Sequence, residues 1–207
     1  MSRLPPPEKD DHELIKLLSA EEQRRADRFV LGRDRARFIT RRAGLRRLLG
    51  DRLGIPPATI GLTRGPCGKP ALSRPLDRSG LRFNVSHCDD LVLYALSCSS
   101  EIGVDIEAIR VTEEADSIAS TVFSTCEYAD YRGLPRDDKP LAFLTWWTRK
   151  EAFLKALGTG LSRPLNTCDV SLSRSTPAAD DRSRAWRIHS FVPAPGFIAA
   201  VAQEGRV

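Results

Sequence analysis

No stretch of the chain is apolar over the roughly 18–20 residues that a bilayer-crossing helix requires, which argues against a membrane-spanning helix. The five cysteines, Cys67, Cys88, Cys98, Cys126 and Cys168, are odd in number, widely spaced and never in a Cys-x-x-Cys arrangement. Neither a zinc site nor a disulfide framework is therefore expected, and the thiols are read as free and mostly packed. Residues 1–10 are proline-rich and charged and lack the apolar centre of a secretion signal, so the cytoplasm is the expected location. No repeated sequence relates the first half of the chain to the second.

What is present fits a globular protein. At 207 residues, 41% hydrophobic and 29% charged, the chain can bury a core as one domain or as two small ones. A net charge of +5 and a pI near 9.1 suit an anionic partner, whether nucleic acid, a phosphorylated cofactor or an acidic protein. Much of the positive charge is arginine in one segment: Arg33, Arg35, Arg37, Arg41, Arg42, Arg46 and Arg47.

Helix punctuation is clear. Ser19-Ala20-Glu21-Glu22 is a capping box and predicts a helix from there to about Leu31. A second helix is expected over 34–53, with Phe38, Leu45, Leu48 and Leu49 at helical spacing and Gly54 and Pro56-Pro57 as its stop. Residues 59–62 read as a short strand, 65–70 as a loop, and 82–86, 91–97 and 102–107 as strands. Ser124-Thr125-Cys126-Glu127 is another capping box. A long helix is expected over 140–157, ended by Gly158 and Gly160, then strands near 169–173, 185–191 and 197–202 with a polar loop at 174–184. Helices followed by strands in each half imply an α+β fold, with two similar lobes joined near 101–107.

Two segments carry chemistry. In Gly103-Val104-Asp105-Ile106-Glu107, residues two apart share a strand face, so Asp105 and Glu107 project together with Cβ atoms roughly 6–7 Å apart. The pair suits either a solvated edge or a hard cation such as magnesium, which takes one or two carboxylates together with substrate phosphates. In Trp147-Thr148-Arg149-Lys150-Glu151-Ala152-Phe153-Leu154-Lys155-Ala156, Glu151 and Lys155 stand at i and i+4 on one helical face. That is either an exposed pair or a third carboxylate with phosphate-holding lysines beside it. Phe143, Trp146, Trp147, Phe153 and Leu154 read as core. His87, at the end of Phe83-Asn84-Val85-Ser86-His87, can offer a donor or a positive charge to a phosphate, and Lys69 sits on the constrained turn Gly68-Lys69-Pro70.

In order and spacing these pieces, with Phe123-Ser124-x-x-Glu127 and Trp147-x-x-Lys150-Glu151-Ala152-x-x-Lys155-Ala156-x-Gly158-x-Gly160-Leu161, resemble the phosphopantetheinyl transferases of the surfactin-synthetase-activating (Sfp) type. The resemblance spans 68–161. It implies a pseudo-twofold pair of α+β lobes, 1–101 and 102–207, with coenzyme A in the cleft between them. It also implies transfer of the 4'-phosphopantetheine arm to a serine of an apo acyl or peptidyl carrier protein, with release of 3',5'-ADP. Carriers of fatty-acid, polyketide and nonribosomal peptide synthesis all qualify.

By motif position, Asp105, Glu107 and Glu151 would hold magnesium. Lys155 would hold the pyrophosphate and assist the leaving group. Lys69, Pro70, Ser86 and His87 would hold the adenosine and its 3'-phosphate. Arg37 and Lys150 join the coenzyme contacts, with Arg25 a weaker candidate. Glu151 is the first choice for the base that takes the serine proton, directly or through a bound water; Glu127 is the rival, its other role being the capping-box acid. One departure from the family pattern is Cys88, where a second serine often follows the histidine. The family plan makes the cleft within one chain, so a monomer is expected, with neither nucleic acid nor membrane as partner. The competing readings are a nucleic-acid-binding protein using the arginine-rich helix and a magnesium-dependent nuclease or phosphatase. The first shows no recognised nucleic-acid motif, and its three acids would repel a backbone unless metal-bound; the second gives Lys69, Ser86 and His87 no role.

Overall fold

The computed structural model describes residues 2–3, 11–65, 67–160, 163–170, 178–179 and 185–205. In chain order the elements are β1 (Ser2–Arg3), α1 (Asp11–Ile15), α2 (Ala20–Ala26), α3 (Gly32–Leu53), β2 (Leu62–Arg64), β3 (Pro70–Leu72), β4 (Arg82–Cys88), β5 (Leu91–Ser97), β6 (Ile102–Ala108), α4 (Ala115–Val122), α5 (Thr125–Arg132), α6 (Lys139–Leu157), β7 (Ala178–Ala179), β8 (Ala185–Phe191) and β9 (Phe197–Glu204). The mixture is α+β. Among the described residues three antiparallel sheets form, ordered β1-β5-β4, β2-β3 and β6-β9-β8-β7.

Each long helix packs where its apolar residues dictate. Leu45 and Leu49 of α3 join Leu72, Leu81 and Phe83 in one core cluster. Phe143, Trp146 and Phe153 of α6 join Phe123, Tyr131, Trp186 and Ala200 in another. Both capping boxes form: Ser19 and Glu22 open α2, and Ser124 and Glu127 open α5, each pair satisfying two backbone donors reciprocally. Gly158 ends α6 at a φ of 72°, the left-handed region that glycine enters without a Cβ penalty.

Some expectations are corrected. The helix expected to reach Leu31 ends at Ala26, where the Asp27 amide closes the last turn on Gln23 and Arg25 carbonyls, and α3 then starts at Gly32. The strand expected at 59–62 is a 3-10 turn over Pro57–Thr59 followed by β2, because Pro57 pre-sets the dihedral of a first helical position. Of the expected loop, Gly65 and residues 67–69 lie between the paired strands β2 and β3 while Pro70 begins β3, and α1 and α4 had no expected counterpart. Asp169 and Val170 lie in no strand; residues 171–173 of the strand expected there, Leu161, and 174–177 and 180–184 of the expected loop lie outside the described residues. Ala178 and Ala179 of that expected loop pair with β8 as a short strand.

One contact sets the depth of the fold. At Gly103 strand β6 meets α6 so closely that an added Cβ would overlap the carbonyl oxygen of Ala152 and the backbone of Ala156. Both obstacles are backbone, and they lie in the turn that carries Glu151 and Lys155. Gly103→Ala is therefore expected to lower stability by about 3 kcal/mol, the upper part of the overpacking range, read as a fall in the urea midpoint.

Candidate active site

The site is built where β4 runs beside β6. Asn84, Ser86 and Cys88 are alternate residues of β4 and so share a face. All three reach across to β6: the Val104 amide donates to Asn84 Oδ1 at 3.0 Å, Ser86 Oγ donates to Asp105 Oδ1 at 2.9 Å, and the Cys88 thiol lies 3.9 Å from Glu107 Oε2. The strand that sequence alternation would leave half in water is thereby covered on both faces. Asp105 is only 4% exposed, while Glu107 is half-buried. Asparagine is disfavoured inside strands, and that oddity was the signal by which Asn84 could have been found.

Helix α6 delivers the rest. Lys155 Nζ donates to Asp105 Oδ1 at 2.6 Å and to Ser86 Oγ at 3.2 Å. A cavity of about 370 Å³ opens here, lined by Ser86, His87, Asp105, Glu107, Glu151 and Lys155. Val85 and Ile106 also line it, as does Trp147, half-buried rather than fully in the core and stacked on Phe143 at 6.1 Å.

The electrostatics favour an added cation beside the acids. Burial, and then the Asp105 charge, push the carboxyls of Glu107 and Glu151 up from their ordinary value. Asp105 Oδ2 is buried with no hydrogen-bond partner among the described residues, a costly state for a carboxylate oxygen. Among the described residues no three His, Cys, Asp or Glu side chains converge tightly enough to cage an ion by themselves. Magnesium fits such a half-built site, since it commonly completes its shell with substrate phosphates and water. On the other side, burial and the charges of Arg41, Lys155 and Arg37 hold the His87 imidazole below its usual range, surroundings that an anion would relieve.

Several predicted residues are not brought into this cavity. Lys150 and Glu127 lie together elsewhere. Both are 0% exposed and pair with each other at 2.7 Å. Lys150 Nζ also donates to the carbonyls of Leu165 and Cys168, while the Glu127 carboxylate accepts from the amides of Ser124 and Val170. With its oxygens so occupied, Glu127 does not face the cleft, and Lys150 presents no ammonium to a phosphate. Lys69 lies at the C-terminal end of α6, donating to Glu101 at 2.8 Å and to the Ala156 carbonyl at 2.9 Å. Arg37 donates to Asp90 at 2.6 Å. Pro70 lines a separate cavity of about 500 Å³ together with Arg25, Arg42 and Arg64. No helix among the described residues is long and apolar enough to cross a membrane.

Comparison with known proteins covers both halves of the chain. Residues 101–202 match the family described as the 4'-phosphopantetheinyl transferase superfamily, and residues 5–99 match the family described as 4'-phosphopantetheinyl transferase, N-terminal. The chain is 37% identical over 199 residues to the 4'-phosphopantetheinyl transferase HetI of Nostoc sp., covering 96% of this chain and 84% of that protein. It is 27% identical to the 4'-phosphopantetheinyl transferase Sfp of Bacillus subtilis, covering 94% and 85%. A solved structure, Thermotoga maritima holo-[acyl-carrier-protein] synthase (AcpS), superposes with a TM-score of 0.40 at 20% identity, over 52% of this chain and 64% of that one.

Proposed function

The chain belongs to the 4'-phosphopantetheinyl transferase superfamily, and on that premise we propose that the cleft beside β4 and β6 transfers 4'-phosphopantetheine from coenzyme A to a carrier-protein serine with magnesium bound at Asp105, Glu107 and Glu151. The observation that carries this reading is the convergence of those three acids with Lys155, Ser86 and His87 on one cavity. Reaction at a pyrophosphate gathers negative charge, and positioned cations are the main source of catalysis there. When bound, magnesium neutralises charge on the phosphoryl oxygens as a Lewis acid.

The chain's own residues supply the rest. The serine Oγ attacks the β-phosphorus of coenzyme A, the bond from that phosphorus to the bridging oxygen breaks, and 3',5'-ADP leaves with the electron pair. Lys155, already oriented by Asp105 and Ser86, stabilises the charge on the departing phosphate. Glu151 takes the serine proton. In the metal-free site, burial and then the Asp105 charge raise the proton affinity of its carboxyl, the direction that suits a group accepting a proton. His87 meets phosphate charge from the β4 side. The second cavity, with Arg25, Arg42, Arg64 and Pro70, suits the adenosine 3'-phosphate end. Lys69 and Arg37 would reach a phosphate only by exchanging Glu101 and Asp90 for it. The lobes meet near residues 101 and 102, the chain acts as a monomer, and its setting is the cytoplasm.

Intact-mass measurement of apo acyl and peptidyl carriers incubated with coenzyme A and magnesium tests this. The expected result is a gain of one phosphopantetheine arm on the carrier serine, lost when EDTA replaces magnesium. A panel spanning both carrier kinds with no mass gain would overturn the reading.

A further inference from the structure

The contacts from β4 to β6 form a ladder of three rungs with unequal strength. Asn84 to Val104 and Ser86 to Asp105 are 3.0 and 2.9 Å long, and their side chains are almost wholly buried. The third rung, Cys88 to Glu107, spans 3.9 Å and is half-buried. A thiol is a weak donor, so this rung holds its carboxylate less firmly than the hydroxyl of Ser86 holds Asp105. Cys88 does not line the cavity, whereas Glu107 does. Next to Glu107 in that cavity, the buried Asp105 keeps one oxygen without a partner among the described residues, which marks the direction from which a ligand is expected.

We infer that Cys88 is a positioning residue for Glu107, and that its loose thiol contact sets how tightly this chain holds its divalent cation. The inference rests on the proposed metal role of Asp105, Glu107 and Glu151. Hydrogen bonds to a ligating carboxylate orient it, and their removal typically weakens metal affinity by about 10- to 100-fold. A thiol rung that is already long falls at the low end of that range. Cys88 also packs beside the apolar cluster of Leu91, Leu93, Val104 and Ile106, so a purely structural role is the competing account. The two differ in what they move: packing changes the melting temperature, a rung changes cation affinity.

The test uses the full chain in the presence of coenzyme A, with Mn²⁺ as probe and free Mn²⁺ followed by electron paramagnetic resonance. Cys88→Ser places a stronger, shorter-reaching donor on the same strand position and is expected to change the Mn²⁺ Kd by several-fold from the parent. Cys88→Ala removes the rung and is expected to weaken Mn²⁺ binding about 10-fold. In turnover, the alanine variant is expected to need more magnesium for half-maximal rate while reaching a similar kcat at saturation. Parent and variants that bind Mn²⁺ within two-fold of one another overturn the inference, whether or not their melting temperatures differ. If the parent still transfers the arm to a carrier in that case, the rung alone has failed. A parent that neither binds Mn²⁺ nor transfers the arm removes the functional reading as well.

Discussion

Asp105→Asn is expected to reduce phosphopantetheine transfer by about 10³-fold while leaving the protein folded. The loss of rate follows from position: the side chain is buried, one of its oxygens orders Ser86 and Lys155, and the other faces no partner. An amide cannot supply the charge that a cation needs, and losing one preorganised electrostatic group at a reacting centre costs on the order of 10²–10³ in rate, before the loss of metal is counted. Stability should change little, because Lys155 is 31% exposed and water can replace its lost partner. A thermal midpoint within about 4 °C of the parent, alongside unchanged circular dichroism, is the expected companion of the lost activity.

The same variant carries a pH signature. Glu107 and Glu151 bind protons more tightly when folded than their ordinary value of 4.5, partly because of Asp105. Groups raised in this way contribute stability fully present below the unfolded value and lost as pH rises through the folded one. In metal-free buffer the parent therefore loses more midpoint than Asp105→Asn as pH is raised upward from about 4.5. Parallel melting curves across that window would show that the three acids do not interact. An active Asp105→Asn enzyme would remove it from the metal site.

Lys150→Met is expected to be the most destabilising change at this helix, by about 3–5 kcal/mol, because it leaves the Glu127 carboxylate buried without its cation. Glu127→Gln with Lys150→Met removes both charges, and the amide oxygen can still accept from Val170 while its NH2 group meets the Ser124 amide, so the double variant is expected to recover part of that loss. The cycle also separates the two roles open to Glu127. A pair that only fixes α5 and α6 predicts a folded double variant with transfer within about ten-fold of the parent, the alignment of Glu151 being slightly relaxed. A folded double variant that binds coenzyme A yet transfers nothing would place Glu127 in the proton transfer after all. Urea unfolding and the carrier mass assay on the same preparations give both answers.

Much of this was legible in the chain. Ser19 and Ser124 began helices because a serine with glutamate three residues on satisfies the first turn by itself, with no help from the fold. Gly54 and Gly158 ended helices for an equally local reason. The face shared by Asp105 and Glu107, and the shared face of Glu151 and Lys155, also follow from local periodicity. Less local features were misplaced. The strand expected at 59–62 gave way to a proline-set turn, and α2 stopped earlier than its composition implied.

The lysines show where local reasoning ends. At about 100° per residue, Lys150 and Lys155 point more than a third of a turn apart, while Glu151 and Lys155 nearly coincide. The sequence by itself determined that these side chains leave α6 on different sides, along with the helix limits and the strand alternation. Only the tertiary structure decided what waits on each side: the buried Glu127 and the Leu165 and Cys168 carbonyls for Lys150, and Asp105, Ser86 and the open cavity for Lys155. A charge takes its role from the partners and the water around it, and those are supplied by chain segments far away in sequence.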